Sequence, residues 1–179
     1  MKQLNIEHLR KKLIEFDKRL KIYPIDFQSI VFEERVHLNC FYCPKYNLKW
    51  TCPPKIPSLD YQKIINEYSN IAIVSIDMLI ASHNFDDIRT ESTNILHKSL
   101  LMLEKELWND NNSLALSFIG GSCKLCKNGC GTDRCNQPGL ARIPVEALGI
   151  NVVESLKNIG VNVVFPIKDK LSRYGMLLW

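Results

Sequence analysis

Two long segments of the chain carry apolar residues at the spacings of an amphipathic helix. The first segment predicts a helix over residues 4–21 that ends before Pro24. Its apolar positions, separated mainly by charged residues, are Ile6, Leu9, Leu13, Phe16 and Leu20. The second segment predicts a helix over residues 86–108, whose apolar face consists of Ile88, Ile95, Leu96, Leu100, Leu103 and Leu107. We expect the first helix to pack on its own domain, although a dimer seam between two helices would give the same pattern.

Short runs rich in isoleucine, leucine and valine predict the strands. We expect a buried strand over residues 71–78, others over 114–119, 161–165 and 174–179, and a short one over 30–36. Pro144 suits the first turn of a third helix, which continues towards Asn158 and stops at Gly160. This order predicts an α+β fold of α/β-like character, with a single mixed sheet of about four strands covered by helices. The last strand is expected at a sheet edge.

The composition is that of an ordinary globular protein, with 46% hydrophobic and 23% charged residues. A net charge of +4 is too small for a dedicated nucleic-acid-binding protein, so nucleic acid is not an expected partner. The longest apolar run, residues 71–80, is far shorter than a membrane-spanning helix, and the first residues contain no apolar signal-peptide core. We therefore predict a cytoplasmic protein without membrane contact, whose thiols stay reduced.

Seven cysteines, an odd number, argue against a closed disulfide framework. They form a group of three and a group of four: Cys40, Cys43 and Cys52, then Cys123, Cys126, Cys130 and Cys135. The second group resembles the Cys-x2-Cys-x2-Cys-x3-Cys-Pro run of bacterial ferredoxins, with one extra residue in each of two gaps. We predict that all seven thiols bind metal, as one or two [4Fe-4S] clusters. Both cysteine-rich loops are expected at the ends of strands.

The first group supplies only three thiols, which would leave one iron of a [4Fe-4S] cluster open to a substrate or another ligand. His37, three residues before Cys40, is a candidate fourth ligand, with a structural histidine as the alternative. Trp50 and Tyr42 are expected either to shield a cluster from solvent or to serve as core aromatics.

Glycines and basic residues surround both groups. The glycines either bring backbone amides close to cluster sulfurs or only form turns; they are Gly120, Gly121, Gly129 and Gly131. The basic residues either offset cluster charge, lower thiol pKa values and dock an acidic redox partner, or form a solvated surface. These residues are Lys45, Lys49, Lys55, Lys124, Lys127, Arg134 and Arg142.

Zinc is the alternative metal. The two Cys-x2-Cys pairs, Cys40 with Cys43 and Cys123 with Cys126, would complete one four-thiolate zinc site. Such a site leaves three of the seven cysteines without a ligand role, so the cysteine count favours clusters.

Four short motifs together resemble a cysteine-rich family of predicted metal-binding proteins, a domain of unknown function widespread in anaerobic bacteria and archaea. The motifs are Cys40-x2-Cys43, Trp50-x-Cys52-Pro53-Pro54, Gly120-Gly121-x-Cys123-x2-Cys126 and Glu146-Ala147-x-Gly149-Ile150. The resemblance covers residues 36–178 and implies metal binding at the seven cysteines, with iron–sulfur clusters suspected. Glu146 either touches a cluster or substrate, or stabilises the start of a helix through its dipole.

We therefore predict one metal-binding domain over residues 1–179, with residues 1–22 as an amphipathic N-terminal helix. The expected function is that of an iron–sulfur protein in cytosolic redox metabolism, which transfers electrons to or from a partner protein or performs chemistry at an open [4Fe-4S] cluster. The alternatives are a zinc-stabilised interaction module without catalysis and a metal or cofactor delivery protein. Whether the chain is an enzyme, and its oligomeric state, stay open.

Overall fold

The computed structural model describes residues 5–80, 84–163 and 167–179 of the chain. The helices in this part are α1 (Ile6–Phe16), α2 (Glu34–Phe41), α3 (Tyr61–Asn66), α4 (Phe85–Asn109) and α5 (Val152–Asn158), with short 3-10 helices at Phe27–Ser29 and Val145–Leu148. The strands are β1 (Leu20–Pro24), β2 (Ile71–Leu79), β3 (Leu116–Phe118) and β4 (Lys170–Leu178). They form one sheet in the order β1-β2-β4-β3, which confirms the α+β class. Every strand pair is antiparallel, so the sheet is not the mixed sheet that we predicted.

Alternate residues of the central strands pack into two hydrophobic cores, one on each face of the sheet. Ala72, Val74 and Ile76 of β2 pack with α1 and α4 on one face. Ile71 and Ile73 face the other core, which contains residues of α5 and of the second 3-10 helix. Strand β4 likewise contributes to both cores. Because both faces of β2 and β4 are covered, these two strands form the centre of the sheet.

The first helix is shorter than predicted, because it ends at Phe16. Asp17 has an extended backbone, and its carboxylate accepts hydrogen bonds from the backbone and side chain of Arg19. Leu20 then begins β1 and pairs with Ile76 of β2. The predicted last turn was wrong because Leu20 fits two patterns. It continues the spacing of the helix, and together with Ile22 it also begins the alternation of buried residues that is typical of a strand.

The long helix α4 confirms the prediction for residues 86–108 to within a residue at each end. Its predicted face is buried apart from the half-buried Ile95, with Leu96, Leu100, Leu103 and Leu107 fully enclosed. The helix also buries His97 and Glu104, which the apolar pattern did not single out. Among the described residues, no helix combines the length and the apolar character that a membrane span requires.

Three further predictions about secondary structure are corrected. No strand covers residues 30–36, where Phe32 makes a single bridge to Ile150 and helix α2 begins at Glu34. The helix predicted from Pro144 is divided at Gly149, whose φ of +81° ends the 3-10 helix before α5 starts. Residues 161–163 are not a strand, and the rest of the predicted 161–165 strand lies outside the described residues.

The strand predicted at the carboxyl end is present as β4, but it lies between β2 and β3 rather than at an edge. Its predicted edge position was wrong because both faces of its last residues are buried, among them Met176, Leu177 and Leu178. A strand covered on both faces is placed at the centre of a sheet.

Candidate metal centre

The second cysteine group follows β3, as predicted for a loop at a strand end. Backbone hydrogen bonds join Ile119 to Ile143 and Val145, at 3.0 and 2.8 Å, and so close the base of the loop. A Cβ on Gly120 would lie 2.2 Å from the carbonyl oxygen of Tyr174 in β4. Only glycine fits such an approach, so Gly120 lets the loop leave the sheet directly against the central strand.

The four thiols of this loop line one small space. The space is bounded by Cys123, Cys126, Cys130 and Cys135, together with Trp50, Thr51 and Gln137. No histidine or carboxylate is among the described residues that line it. The Nε2 amide group of Gln137 donates to Sγ of Cys126 at 3.6 Å, and the backbone N–H of Leu125 donates to Cys123. N–H donors to sulfur favour the thiolate form, which is the form that binds metal.

The first cysteine group lies on a helix end rather than a strand end, which corrects our prediction for this loop. Cys40 is in the last turn of α2, and Cys43 follows directly in a turn. Cys52 is only 8% exposed. The three residues line a cavity of about 260 Å³ whose wall also includes Gly121, Ser122 and Glu146. The backbone N–H of Lys45 is 3.5 Å from Sγ of Cys43 and donates to it.

The segment from Trp50 to Cys52 separates the two thiol sites. Thr51 lines the four-thiol space, whereas the next residue, Cys52, lines the three-thiol cavity. The indole N–H of Trp50 donates to the carbonyl oxygen of Gly131 at 2.8 Å and so joins the first loop to the second. The two sites are therefore immediate neighbours, although their ligands are about 80 residues apart in sequence.

The arrangement differs from that of the single zinc site considered as the alternative. The two Cys-x2-Cys pairs line different cavities instead of converging on one point. Within the described parts of the chain, no three His, Cys, Asp or Glu side chains are grouped so that they could hold one metal ion. The seven thiols line two separate spaces, four in one and three in the other.

Burial raises thiol pKa values in both sites. The pKa of Cys52 is raised to about 11 by burial and then by the neighbouring Cys43 and Cys40. Burial also raises the pKa of Cys40, where the charge of Glu146 adds to the effect, and the pKa of Cys123. In the metal-free chain these thiols are protonated at neutral pH, so metal uptake must release protons.

Glu146 is bonded to the second cysteine loop and lines the cavity of the first cysteine group. It lies in the 3-10 helix Val145–Leu148, where its two carboxylate oxygens accept from the backbone N–H of Gly121 at 3.2 and 3.3 Å. Burial raises the pKa of this carboxyl. The side chain lines the three-thiol cavity, and Glu146 also lies in the first turn of its 3-10 helix, so its position agrees with both roles considered from the sequence.

The aromatic residues and the histidine named from the sequence have different environments. Trp50 is half-buried beside the four-thiol space, as a shielding residue would be, whereas Tyr42 is 79% exposed and neither shields a site nor belongs to the core. His37 is exposed and lines a separate cavity with Pro53 and Gly149, not the cavity of the three thiols.

The basic residues around the cysteines also differ from one another. Arg142 forms a buried ion pair with Glu104 and is therefore part of the core rather than of the thiol environment. Lys55 lies over the ring of Trp50, 4.4 Å from its centre. Lys45 and Lys49 line the three-thiol and four-thiol sites, respectively, while Lys124 donates to Thr90 of α4.

Two buried or half-buried cations near the site were not found from the sequence. Arg173 of β4 lies against the second cysteine loop, where Nη1 would be 2.9 Å from a Cβ on Gly121. Arg89 of α4 is close enough to influence it electrostatically. The available signal for Arg173 was a charged residue directly before the strand predicted over residues 174–179.

Comparison with known protein families matches residues 23–179 to the family described as predicted metal-binding protein (DUF2284). The chain belongs to this family. The match includes all seven cysteines and Glu146, and it begins earlier than the resemblance noted over residues 36–178. Neither the curated proteins nor the solved structures contain a significant match. Membership supports metal binding for the chain and leaves the kind of metal to be inferred from the site.

Proposed function

We propose that this member of the family is an iron–sulfur protein of cytosolic redox metabolism. Cys123, Cys126, Cys130 and Cys135 would hold one [4Fe-4S] cluster, and Cys40, Cys43 and Cys52 would hold a second. The observation that carries the proposal is the division of the seven thiols into neighbouring spaces, four around one and three around the other.

The donor set fits such groups. Four thiols without a histidine or carboxylate, and with N–H donors aimed at sulfur, are the environment that iron–sulfur clusters use. When bound, the two groups would supply one-electron transfer and, at the three-thiol site, an iron with a free coordination position. The residues of the chain itself would bind the clusters, exclude water and place Glu146 beside the open position.

The two sites suit different tasks. Trp50, Thr51 and Gln137 help to enclose the four-thiol space, as is appropriate for electron storage and transfer. The three-thiol cavity is larger and reaches Glu146, whose carboxyl can hold a proton next to the site because burial raises its pKa. With clusters bound, the four-thiol site would suit exchange of electrons with a redox partner, and the three-thiol site would suit binding of a small molecule beside Glu146.

The test is anaerobic purification followed by measurement of iron, acid-labile sulfide and zinc per chain, with an absorption spectrum. About eight irons and eight sulfides are expected for two [4Fe-4S] clusters, and about four of each would mean one. One or two zincs without iron would contradict the proposal and favour the zinc-stabilised module. Metal that is lost readily to a weak chelator would favour a delivery protein.

Two variants separate the sites. Cys52→Ser should alter the iron content and spectrum of the three-thiol site, and Cys135→Ser should alter those of the four-thiol site. Ser122→Ala is the matched control, because Ser122 lines the three-thiol cavity without offering a thiol. An unchanged spectrum in Cys52→Ser would remove Cys52 from the ligand set.

A further inference from the structure

A second, larger cavity adjoins the three-thiol cavity. It has a volume of about 690 Å³ and lies beside β4, α4 and the start of α5. Val36, Asn39 and Glu146 line both cavities, so the two share a wall. A molecule held in the larger cavity would therefore lie next to the thiols.

Three positive charges meet where this cavity approaches the second cysteine loop. Arg89 comes from the first turns of α4, Arg173 from β4, and Lys124 from the loop itself. Both arginines line the cavity. Lys124 does not line it, but its Nζ donates to Oγ1 of Thr90, the residue after Arg89, at 3.3 Å, and the charges of both arginines act on it. Burial, followed by the nearby charge of Arg89, lowers the pKa of Arg173.

Arg173 is held in place, and among the described residues no carboxylate forms a salt bridge with it. Its Nε donates to Oγ of the buried Ser92 at 2.9 Å, which fixes the plane of the guanidinium. Gly121 has no side chain to push it away, so Nη1 lies directly against the cysteine loop. Glu146 influences Arg173 electrostatically, but its carboxylate oxygens are bonded to the backbone of Gly121. Within residues 5–80, 84–163 and 167–179, no acceptor is hydrogen-bonded to the Nη groups of Arg173, which are therefore available to a ligand.

The other charged residues of the cavity wall have partners. Lys170 donates to Asp77 at 3.1 Å, and Arg35 is paired with Glu33. Arg89 lies over the ring of Phe85 and forms a salt bridge with Asp86 at 3.5 Å; because Asp86 is 83% exposed, water screens that salt bridge. Among the described residues of this region, Arg173, Arg89 and Lys124 are thus the cations that lack a close, shielded ion pair.

We propose that Arg89, Lys124 and Arg173 form an anion-binding site that holds the carboxylate or phosphate group of a small-molecule substrate. A fixed guanidinium is suited to such groups because its N–H donors match two oxygens at once. The remainder of the molecule would pass Glu146 and Asn39 to the three-thiol cavity. The site stands on the contacts of these three residues, while the assignment of its ligand as a substrate rests on the proposed function.

The test uses the anaerobically purified, metal-containing protein. Isothermal titration calorimetry with inorganic phosphate and with malonate measures anion binding in the wild type, in Arg173→Gln and in Lys170→Gln. We expect the wild type to bind at least one of the two anions, Arg173→Gln to weaken that binding at least tenfold, and Lys170→Gln to change it less than threefold. Lys170→Gln is the matched control, because Lys170 lies on the same wall and its positive charge is already paired with Asp77.

Arg89→Gln provides a second test should Arg173→Gln fold poorly, because Arg89 is half-exposed and its loss should not disturb the core. It should weaken anion binding several-fold, with circular dichroism unchanged. Absence of binding in the wild type, or equal loss in Arg173→Gln and Lys170→Gln, overturns the proposal. So does intact binding in Arg173→Gln with an altered absorption spectrum, since the arginine would then only balance the charge of the metal site.

The outcomes also separate this proposal from the proposed function. If the protein contains zinc and no iron, yet binds phosphate through Arg173, the anion site stands and the iron–sulfur assignment falls. If iron and sulfide are present and neither anion binds, the iron–sulfur assignment stands and the anion site falls.

Discussion

The ion pair between Glu104 and Arg142 joins helix α4 to the segment that follows the second cysteine loop. The Glu104 side chain is fully buried and that of Arg142 is 10% exposed. Nε of Arg142 donates to Oε1 of Glu104 at 2.7 Å, and Nη2 donates to the other carboxylate oxygen. Nη1 donates to the carbonyl oxygen of Ala141 at 2.9 Å, while the backbone N–H of Ser117 in β3 donates to Glu104 at 2.7 Å. One pair thus connects the helix, the sheet and the end of the loop.

Arg142→Met removes the cation and keeps an apolar stem of similar length. The carboxylate of Glu104 then stays buried with only the donors of Ser117, and removal of one member of such a pair costs about 3–5 kcal/mol. With a urea slope of about 2 kcal/mol/M, the unfolding midpoint should fall by about 1.5–2.5 M. Lys157→Met is the matched control, since the Lys157–Glu154 pair is about half exposed. It should cost less than about 1 kcal/mol.

The assay is urea unfolding of the anaerobic, metal-containing protein, followed by circular dichroism and by tryptophan fluorescence so that coincidence of the two transitions can be checked. Metal content is measured in parallel, because loss of metal would lower stability for a different reason. Glu104→Gln combined with Arg142→Met should regain at least half of the loss. Its amide oxygen still accepts from Ser117, but no unpaired charge is buried. The reasoning is refuted if Arg142→Met costs no more than Lys157→Met, or if the double variant is as unstable as Arg142→Met.

Three further predictions concern packing, pH and thiol reactivity. Gly120→Ala should destabilise the protein by about 1–3 kcal/mol in thermal unfolding, because the new Cβ would meet the carbonyl oxygen of Tyr174. Gly139→Ala is the control and should be nearly neutral, because a Cβ at Gly139 would meet no neighbouring atom. Burial lowers the pKa of His97, so the unfolded state binds more protons. Stability should then rise with pH between the lowered folded pKa and the unfolded value of about 6.5, by up to about 1.4 kcal/mol per pH unit, and His97→Gln should flatten that slope in urea unfolding at pH 5 to 8. In the metal-free chain, Cys52 should react with iodoacetamide at pH 8 at least tenfold more slowly than after unfolding, because its pKa of about 11 keeps it protonated; equal rates by mass spectrometry would contradict this.

Local sequence patterns were sufficient for features that depend on neighbouring residues. Two residues separate Cys123 from Cys126, and two separate Cys40 from Cys43. This spacing indicates paired thiols independently of the rest of the fold. The 25 residues of α4 were predicted to within a residue at each end, because a periodic face repeated over seven turns leaves little ambiguity. The cysteine motifs also identified the family, which the match over residues 23–179 confirms.

The pattern of apolar residues was ambiguous where one residue fitted both helical and strand spacing, or where a helix or strand was too short to show a clear pattern. Leu20 continued the helical spacing of α1 but begins β1, and α2 was mistaken for a strand because Ile30 and Val31 precede it. The apolar run that ends at Leu178 is buried on both faces and signals a central strand, yet its position at the end of the chain suggested an edge.

The tertiary structure alone decided which distant residues meet. The hydrogen bond from Trp50 to Gly131 joins the two cysteine loops, and local spacing contains no information about that contact. The same packing places Thr51 and Cys52 on opposite sides of one segment, so that the seven thiols divide into four and three. Arg173, 50 residues beyond Cys123, reaches the site only because β4 passes beneath the glycine pair that precedes the cysteines. The sequence by itself determined which side chains can bind a metal, whereas long-range packing determined how they are grouped and what surrounds them.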